Sequence, residues 1–227
     1  MGANSKRWPG GRSAASALAR VIAHFVFPKH RRSIDIMEMN ETLKTIFSRK
    51  SVRAYAEGAI PREQLEMLVR AGMAAPSAVD QRPWEFIVVT DRATLARLAE
   101  RLSYAKMAAR AAAAIVVCGD LRRQWGGPGS VMWSIDCAAA AQNMLLAAES
   151  LGLGAVWTAG YPYPDRMGAM REILGLPDYI QPLTLIPVGI PRGGEKPKEK
   201  WNPARLHWER YHENPGAEPE KRAATHE

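Results

Sequence analysis

Apolar residues recur along this chain at two periods, and the switches between them predict alternating helices and strands. Asn40 is a predicted N-cap with Glu41 in the first turn, and Leu43, Ile46 and Phe47 follow at helical spacing. A second helix starts at Pro61, carries Leu65, Leu68 and Val69 on one face, and ends between Gly72 and Pro76. The run 84–89 is a predicted strand, after which Asp91 caps a helix carrying Leu95, Leu98 and Leu102. A second strand covers 114–119, and a long Ala-rich helix covers 131–151. Asp136 and Glu149 are that helix's only charged residues. A helix this apolar all round is buried on most sides, at the domain centre or in a subunit interface.

Gly152 and Gly154 end the long helix, and residues 155–158 form a third strand. Met167, Met170, Ile173 and Leu174 mark another helix, closed by Gly175. The stretch 180–189 is a last strand whose Pro182 and Pro187 predict an edge or bulged position. From Arg192 the chain is polar and rich in Lys and Pro. Helices thus alternate with four or five strands around a mixed sheet, an α+β or α/β class.

Residues 1–36 differ from this body. They predict a disordered or mis-assigned basic leader, with Met37 or Met39 just before the first helix start. The formal charge of the whole chain is +8, but residues 1–39 hold seven cations against two acids. The high charge therefore describes the leader more than the body, and no nucleic-acid partner is expected. No apolar run is long enough to span a membrane. Cys118 and Cys137 sit in Ala/Val-rich surroundings and predict buried, reduced thiols, which suits a cytoplasmic protein.

Four segments could carry chemistry. Arg49, Lys50, Ser51 and Arg53 place three cations and a hydroxyl within five residues at the end of the first helix. Arg49 and Arg53 share a face if that helix persists. Guanidinium forks and a hydroxyl suit a phosphate monoester, while a solvated basic helix end would look the same in sequence. The loop 75–84 sets Pro76, Ser77, Asp80, Gln81 and Arg82 beside a strand. There they could read the edge of a planar heterocycle or serve as ordinary turn residues. In 154–162, Gly residues next to Trp157 and Thr158 permit close backbone approach to a ligand or simply end a strand. Lys196, Lys198 and Lys200 could reach a phosphate or form a solvated charge run. There is no G-x-S-x-G, H-E-x-x-H, P-loop or G-x-G-x-x-G, and the five histidines lie outside the predicted core. If the chain is an enzyme, a cofactor performs its chemistry.

Taken in order, these segments resemble the nitroreductase family of flavoproteins over about residues 40–212. The resemblance rests on R-x-S-x-R at Arg49, Ser51 and Arg53, on the run from Ala75 to Val89, on Gly152 to Trp157, and on Lys-Pro-Lys followed by Pro203, His207 and Trp208. It implies a three-layer α+β fold with a central mixed, mainly antiparallel sheet, in a homodimer with two FMN sites at the interface. The domain would cover 37–212, followed by a flexible tail, 213–227. By the resemblance, Arg49, Lys50, Ser51 and Arg53 hold the ribityl phosphate and one flavin edge, aided by Lys198 or Lys200. Pro76 and Ser77 come from the partner subunit, Asp80 and Gln81 approach the ring edge, and Trp157, Thr158 and Gly160 flank the ring.

Asp80 and Arg82 stand where the family carries Asn and Gln. An ionised Asp80 accepts a hydrogen bond but cannot donate one, and Arg82 could offset its charge by pairing with it. NADH or NADPH would supply hydride, and a nitroaromatic, quinone or enone would take it. A non-catalytic flavin store and a reductive dehalogenase or flavin-destructase relative are the alternatives. A lid would fall at 104–110 or 122–132.

Overall fold

The computed structural model describes residues 39–213; the leader 1–36 and the tail from 214 onward lie outside the described residues. The body comprises helices α1 (Glu41–Ser48), α2 (Arg62–Met73), α3 (Arg92–Arg101), α4 (Met132–Ser150) and α5 (Pro164–Leu174). Its strands are β1 (Tyr55–Ala56), β2 (Trp84–Val89), β3 (Ala113–Asp120), β4 (Gly154–Ala155), β5 (Thr158–Ala159) and β6 (Ile180–Pro191). The predicted caps form. The Asn40 side chain accepts from Leu43 N and that of Asp91 from Thr94 N, and Gly175 closes α5 with φ 65°.

All six strands belong to one sheet of order β1-β6-β3-β2, with β4 and β5 also paired to β6. Every pairing among the described residues is antiparallel, and the class is α+β. β6 is not an edge strand: β3 lies along one side of it, and β1, β4 and β5 lie along the other. Its prolines are accommodated in two ways. At Pro182 the β3 register slips, with Thr184 opposite Val117 but Pro182 opposite Cys118, so Leu183 is the extra residue of a bulge.

At Pro187 the partner side gives way. Val156 N donates to Pro187 O at 3.4 Å, and proline has no N–H to return. The predicted single strand 155–158 is therefore two short strands in a common register, interrupted at Val156 and Trp157.

One face of the sheet packs on α2 and α4 through Leu65, Leu68, Ile115, Val117, Met144 and Ile186. The other packs on α3 and α5 through Leu95, Leu98, Val116, Met170 and Leu185. Helix α4 is less covered within one chain than its composition predicts. Met144, Leu145 and Ala148 are buried, but Ile135 is 56% exposed. Helix α1 lies against α4 with no residue fully buried, leaving Leu43, Ile46 and Phe47 half-exposed.

Both cysteines are buried and reduced. Cys137 Sγ donates to Cys118 O at 3.2 Å. Burial pushes the Cys118 thiol up to about 12 and raises that of Cys137 as well. Neither should react with a thiol-specific disulfide reagent at pH 8 in the folded protein, and both should react after denaturation. Rapid labelling of the native chain would contradict this packing.

Candidate functional site

Helix α1 stops at Ser48, and Arg49 turns into extended backbone at φ −56°, ψ 128°. Arg49 and Arg53 therefore do not share a helix face. The segment 49–53 instead runs extended across the end of β4. Val52 N donates to Ala155 O at 3.0 Å, and the Val52 side chain fills the space where a Cβ on Gly154 would meet it at 2.6 Å. Arg192 N then bonds Ala54 O at 3.0 Å, which ties the start of the C-terminal arm to the same place. Two of the four predicted segments thus meet here, together with the start of the arm that leads to the fourth, and Val52 is buried while its neighbours Ser51 and Arg53 are less so.

Among the described residues neither Arg49 nor Arg53 has a carboxylate within salt-bridge distance, nor does Ser51 Oγ bond any protein group. Lys50 is different. Its ammonium is bound by Glu149 at 2.8 Å, both side chains being mostly buried, so it anchors the segment to the end of α4. Lys198 and Lys200 are exposed on the arm.

The second predicted segment lies elsewhere. Residues 76–82 pack near the start of α4, where Ala78 N donates to Asp136 Oδ1 at 3.0 Å. Asp136 and Glu149 are thirteen residues apart, which puts the two anchored segments about 20 Å apart along the helix. The segment 154–161 runs back between them, ending with Tyr161 edge-on to Trp133 at 4.9 Å.

The 76–82 turn is not ordinary. Val79, Asp80 and Arg82 all have positive φ, at 50°, 57° and 48°. Non-glycine residues rarely adopt that region, and such strain collects at functional sites. The Arg82 guanidinium binds both carboxylate oxygens of Asp80, one at 2.7 Å, and that hydrogen bonding holds the Asp80 carboxyl below its usual range. Asp80 is therefore an ionised, charge-balanced acceptor at neutral pH. Pro76, Gln81 and the ion pair are exposed, and Ser77 Oγ accepts from Arg82 N at 2.9 Å.

Around β5 the structure narrows the roles that sequence allowed. The Thr158 hydroxyl is buried and donates to Leu185 O at 2.7 Å, so it is spent on the sheet. A Cβ on Gly160 would lie 2.3 Å from Met170 Cε and 3.1 Å from two β6 carbonyls; its own fold demands glycine there. Trp157 is the partly exposed side chain of the three.

Of the two lid candidates, 104–110 is pinned. Ala105 and Ala108 are buried, and the Arg92 guanidinium binds the carbonyls of Ala109 and Ala111. The stretch 122–132 is mostly exposed, with Gly126, Gly127 and Gly129 at positive φ. It is anchored at one end by buried Asp120, which accepts Arg122 N at 2.9 Å and Arg122 Nη2 at 2.7 Å. Arg122 also stacks on Tyr179 at 3.7 Å.

Those hydrogen bonds hold the Asp120 carboxyl below its usual range. A depressed folded pKa gives stability that is present above the unfolded value and is lost as pH falls through the folded one. Asp120→Asn should therefore lower the unfolding temperature at pH 7, and the gap from wild type should close as the pH falls below about 4. A gap independent of pH would contradict the assignment.

Asp136 and Glu149 were visible in sequence only as the two acids of an otherwise uncharged helix. Each turns out to anchor one of the candidate segments.

Comparison with known proteins decides the family. The Nitroreductase family description matches residues 46–105 and 100–190. The chain belongs to the nitroreductase family. A protein of Archaeoglobus fulgidus, provisionally named NADH dehydrogenase/NAD(P)H nitroreductase, is 41% identical over 176 residues, which is 76% of this chain and 100% of that one. A solved structure from Parabacteroides distasonis with the same provisional name is 53% identical, with TM-score 0.72, covering 76% of this chain and 100% of that one. The NADPH:FMN oxidoreductase of Vibrio harveyi, solved in complex with NAD+, superposes with TM-score 0.68 at 29% identity, over 77% of this chain and 80% of that one. As a nitroreductase-family fold, the chain shares with these proteins the sheet on which the converging segments lie.

Proposed function

We propose that this chain is an FMN-dependent oxidoreductase, taking hydride from NADH or NADPH and passing it to a small organic acceptor such as a nitroaromatic, quinone or enone. The observation that carries the reading is the segment 49–53, held extended against Gly154–Ala155 with Arg49, Ser51 and Arg53 unpaired among the described residues. Two guanidinium forks and a hydroxyl with no protein partner fit a phosphate monoester. The names of the relatives, an FMN reductase (NADPH) of Bacillus subtilis among them, support the same cofactor and hydride donor.

Bound flavin would supply reversible acceptance of a hydride, which no side chain here can do. The protein's part is placement. Arg49, Ser51 and Arg53 hold the phosphate, with Lys198 or Lys200 adding charge, while Lys50 acts through its ion pair to fix the segment. Trp157 offers an aromatic wall beside the ring, and Thr158 and Gly160 shape the backbone there. Asp80 and Gln81 approach the ring edge, Asp80 as an acceptor balanced by Arg82. The 122–132 loop covers the site and excludes water.

The site needs a second copy of the chain. The 49–53 and 76–82 segments stand at opposite ends of α4, so each is half a cradle, and Pro76 and Ser77 serve the flavin held by the other subunit. The half-exposed apolar residues of α1, Ile135 on α4, and exposed Trp201, Trp208 and Tyr211 on the arm supply apolar surface of the kind that interfaces cover. Among the described residues no helix is long and apolar enough to cross a membrane. We infer a cytoplasmic homodimer without a nucleic-acid or membrane partner.

Sedimentation with an FMN titration tests this. One FMN per chain in a dimer is expected. A monomer that binds FMN at full affinity would overturn the shared site.

A further inference from the structure

The 76–82 turn holds an unfavourable conformation with little packing around it. Three of its residues are left-handed without being glycine, and the turn is largely exposed, so side-chain packing does not hold it. Its internal bonds are short-range. Asp80 N reaches Ser77 O at 3.1 Å, Gln81 N reaches Ala78 O at 3.0 Å, and Arg82 N reaches Ser77 Oγ at 2.9 Å. Among the described residues, the side-chain bond that ties the turn to the rest of the fold is the one from Ala78 N to Asp136 Oδ1.

Asp136 is 4% exposed and sits on the rigid α4, one turn after Trp133. Its Oδ2 is buried and has no hydrogen-bond partner among the described residues. A half-satisfied carboxylate in an apolar helix face is an expensive way to fill space, and folded chains keep such groups where the bond that is made matters.

We propose that Asp136 is the positioning residue of the flavin-edge turn: by holding Ala78 N–H it keeps 76–82 in its left-handed form and so sets where Ser77, Asp80 and Gln81 meet the ring. The inference rests on the flavin reading above. Asp136 does not touch the cofactor; it acts through Ala78. The hydrogen-bonding oxygen, not the charge, is what counts, so an amide in its place would hold the turn as well.

The experiment compares Asp136→Ala and Asp136→Asn by hydrogen–deuterium exchange of the peptide spanning 75–83, by FMN and riboflavin titration, and by the reduction potential of the bound flavin. D136A should exchange faster at the turn. It should bind FMN and riboflavin alike about tenfold more weakly, the loss expected when one anchoring hydrogen bond goes, and its bound flavin should have a shifted potential. D136N should keep the protection, the potential and the affinity of wild type. Equal weakening of both flavins distinguishes a fault at the ring edge from one at the phosphate.

A merely structural Asp136 would lower the unfolding temperature of the apoprotein and leave flavin affinity and potential unchanged, and that result would overturn the proposal. So would a D136N as weak as D136A. If D136A does not fold, D136S, too short to reach Ala78, takes its place with the same expectations. A wild-type protein that binds no FMN would sink the flavin reading instead. The exchange experiment would then still decide whether Asp136 holds the turn.

Discussion

Replacing both Arg49 and Arg53 by alanine should weaken FMN binding by about a thousandfold or more while changing riboflavin binding far less. A hydrogen bond to a charged group contributes about 1.5–3 kcal/mol, and each 1.4 kcal/mol is about tenfold in affinity. Each guanidinium lacks a carboxylate partner among the described residues, so none of these competes with a phosphate for it. Each single variant should therefore lose about ten- to hundredfold. The comparison with riboflavin isolates the phosphate, because riboflavin has the same ring and ribityl chain. Fluorescence quenching on titration reads both constants. Equal losses for the two ligands would show that the arginines support the fold or the ring rather than the phosphate. Lys50→Ala removes no proposed phosphate contact but leaves Glu149 unpaired and loosens the segment, so its loss should again fall mainly on FMN and be smaller than that of either arginine variant.

The second large effect is on stability. Trp133→Ala should cost about 3–5 kcal/mol, the range for removing a buried large aromatic. Trp133 is 4% exposed in the first turn of α4. Its ring lies where a Cβ on Gly119 would meet it at 2.5 Å, so it packs directly on the β3 backbone. It also meets Tyr161 edge-on, which joins the start of α4 to the end of the 154–161 segment. The cavity would open between these elements, close to the turn that Asp136 anchors. Denaturant unfolding of the apoprotein measures the loss. A cost below about 1 kcal/mol would mean that the site collapses around the smaller residue, and that this contact does not organise the sheet face.

Much of this molecule was legible in its pattern of apolar positions. The boundaries of α4 and β2, and the caps at Asn40 and Asp91, follow from local chemistry: periodicity, an oxygen before the first turn, a glycine after the last. What local pattern left open or missed was set by neighbours distant in sequence. Whether β6 lies at an edge depends on β4 and β5, which pair with it from well before it in the chain. The break at Val156 depends on a proline thirty-one residues later that cannot return a hydrogen bond.

The phosphate-site residues were readable as types, but not their geometry. Arg49 and Arg53 look helical by spacing, yet the helix ends at Ser48 because the segment pairs with β4 instead. Lys50 looks equivalent to its neighbours until Glu149 is found beside it. The strain at Val79, Asp80 and Arg82 leaves no trace in residue type, since valine and arginine are poor candidates for left-handed backbone. Asp136 and Glu149 did leave a signal, as acids in a helix that otherwise avoids charge, but only the fold shows what each one holds.

The most direct test of the central claim is the visible spectrum of the purified protein, recorded before and after anaerobic addition of NADH or NADPH. The account predicts a yellow protein with the absorption of oxidised flavin, bleached by at least one of the two donors. A yellow protein that neither donor bleaches would contradict the proposed hydride transfer and leave a flavin-binding protein without this chemistry. A colourless protein that takes up no added FMN would contradict the account at its root, and Arg49, Ser51 and Arg53 would then be no more than a solvated basic segment beside β4.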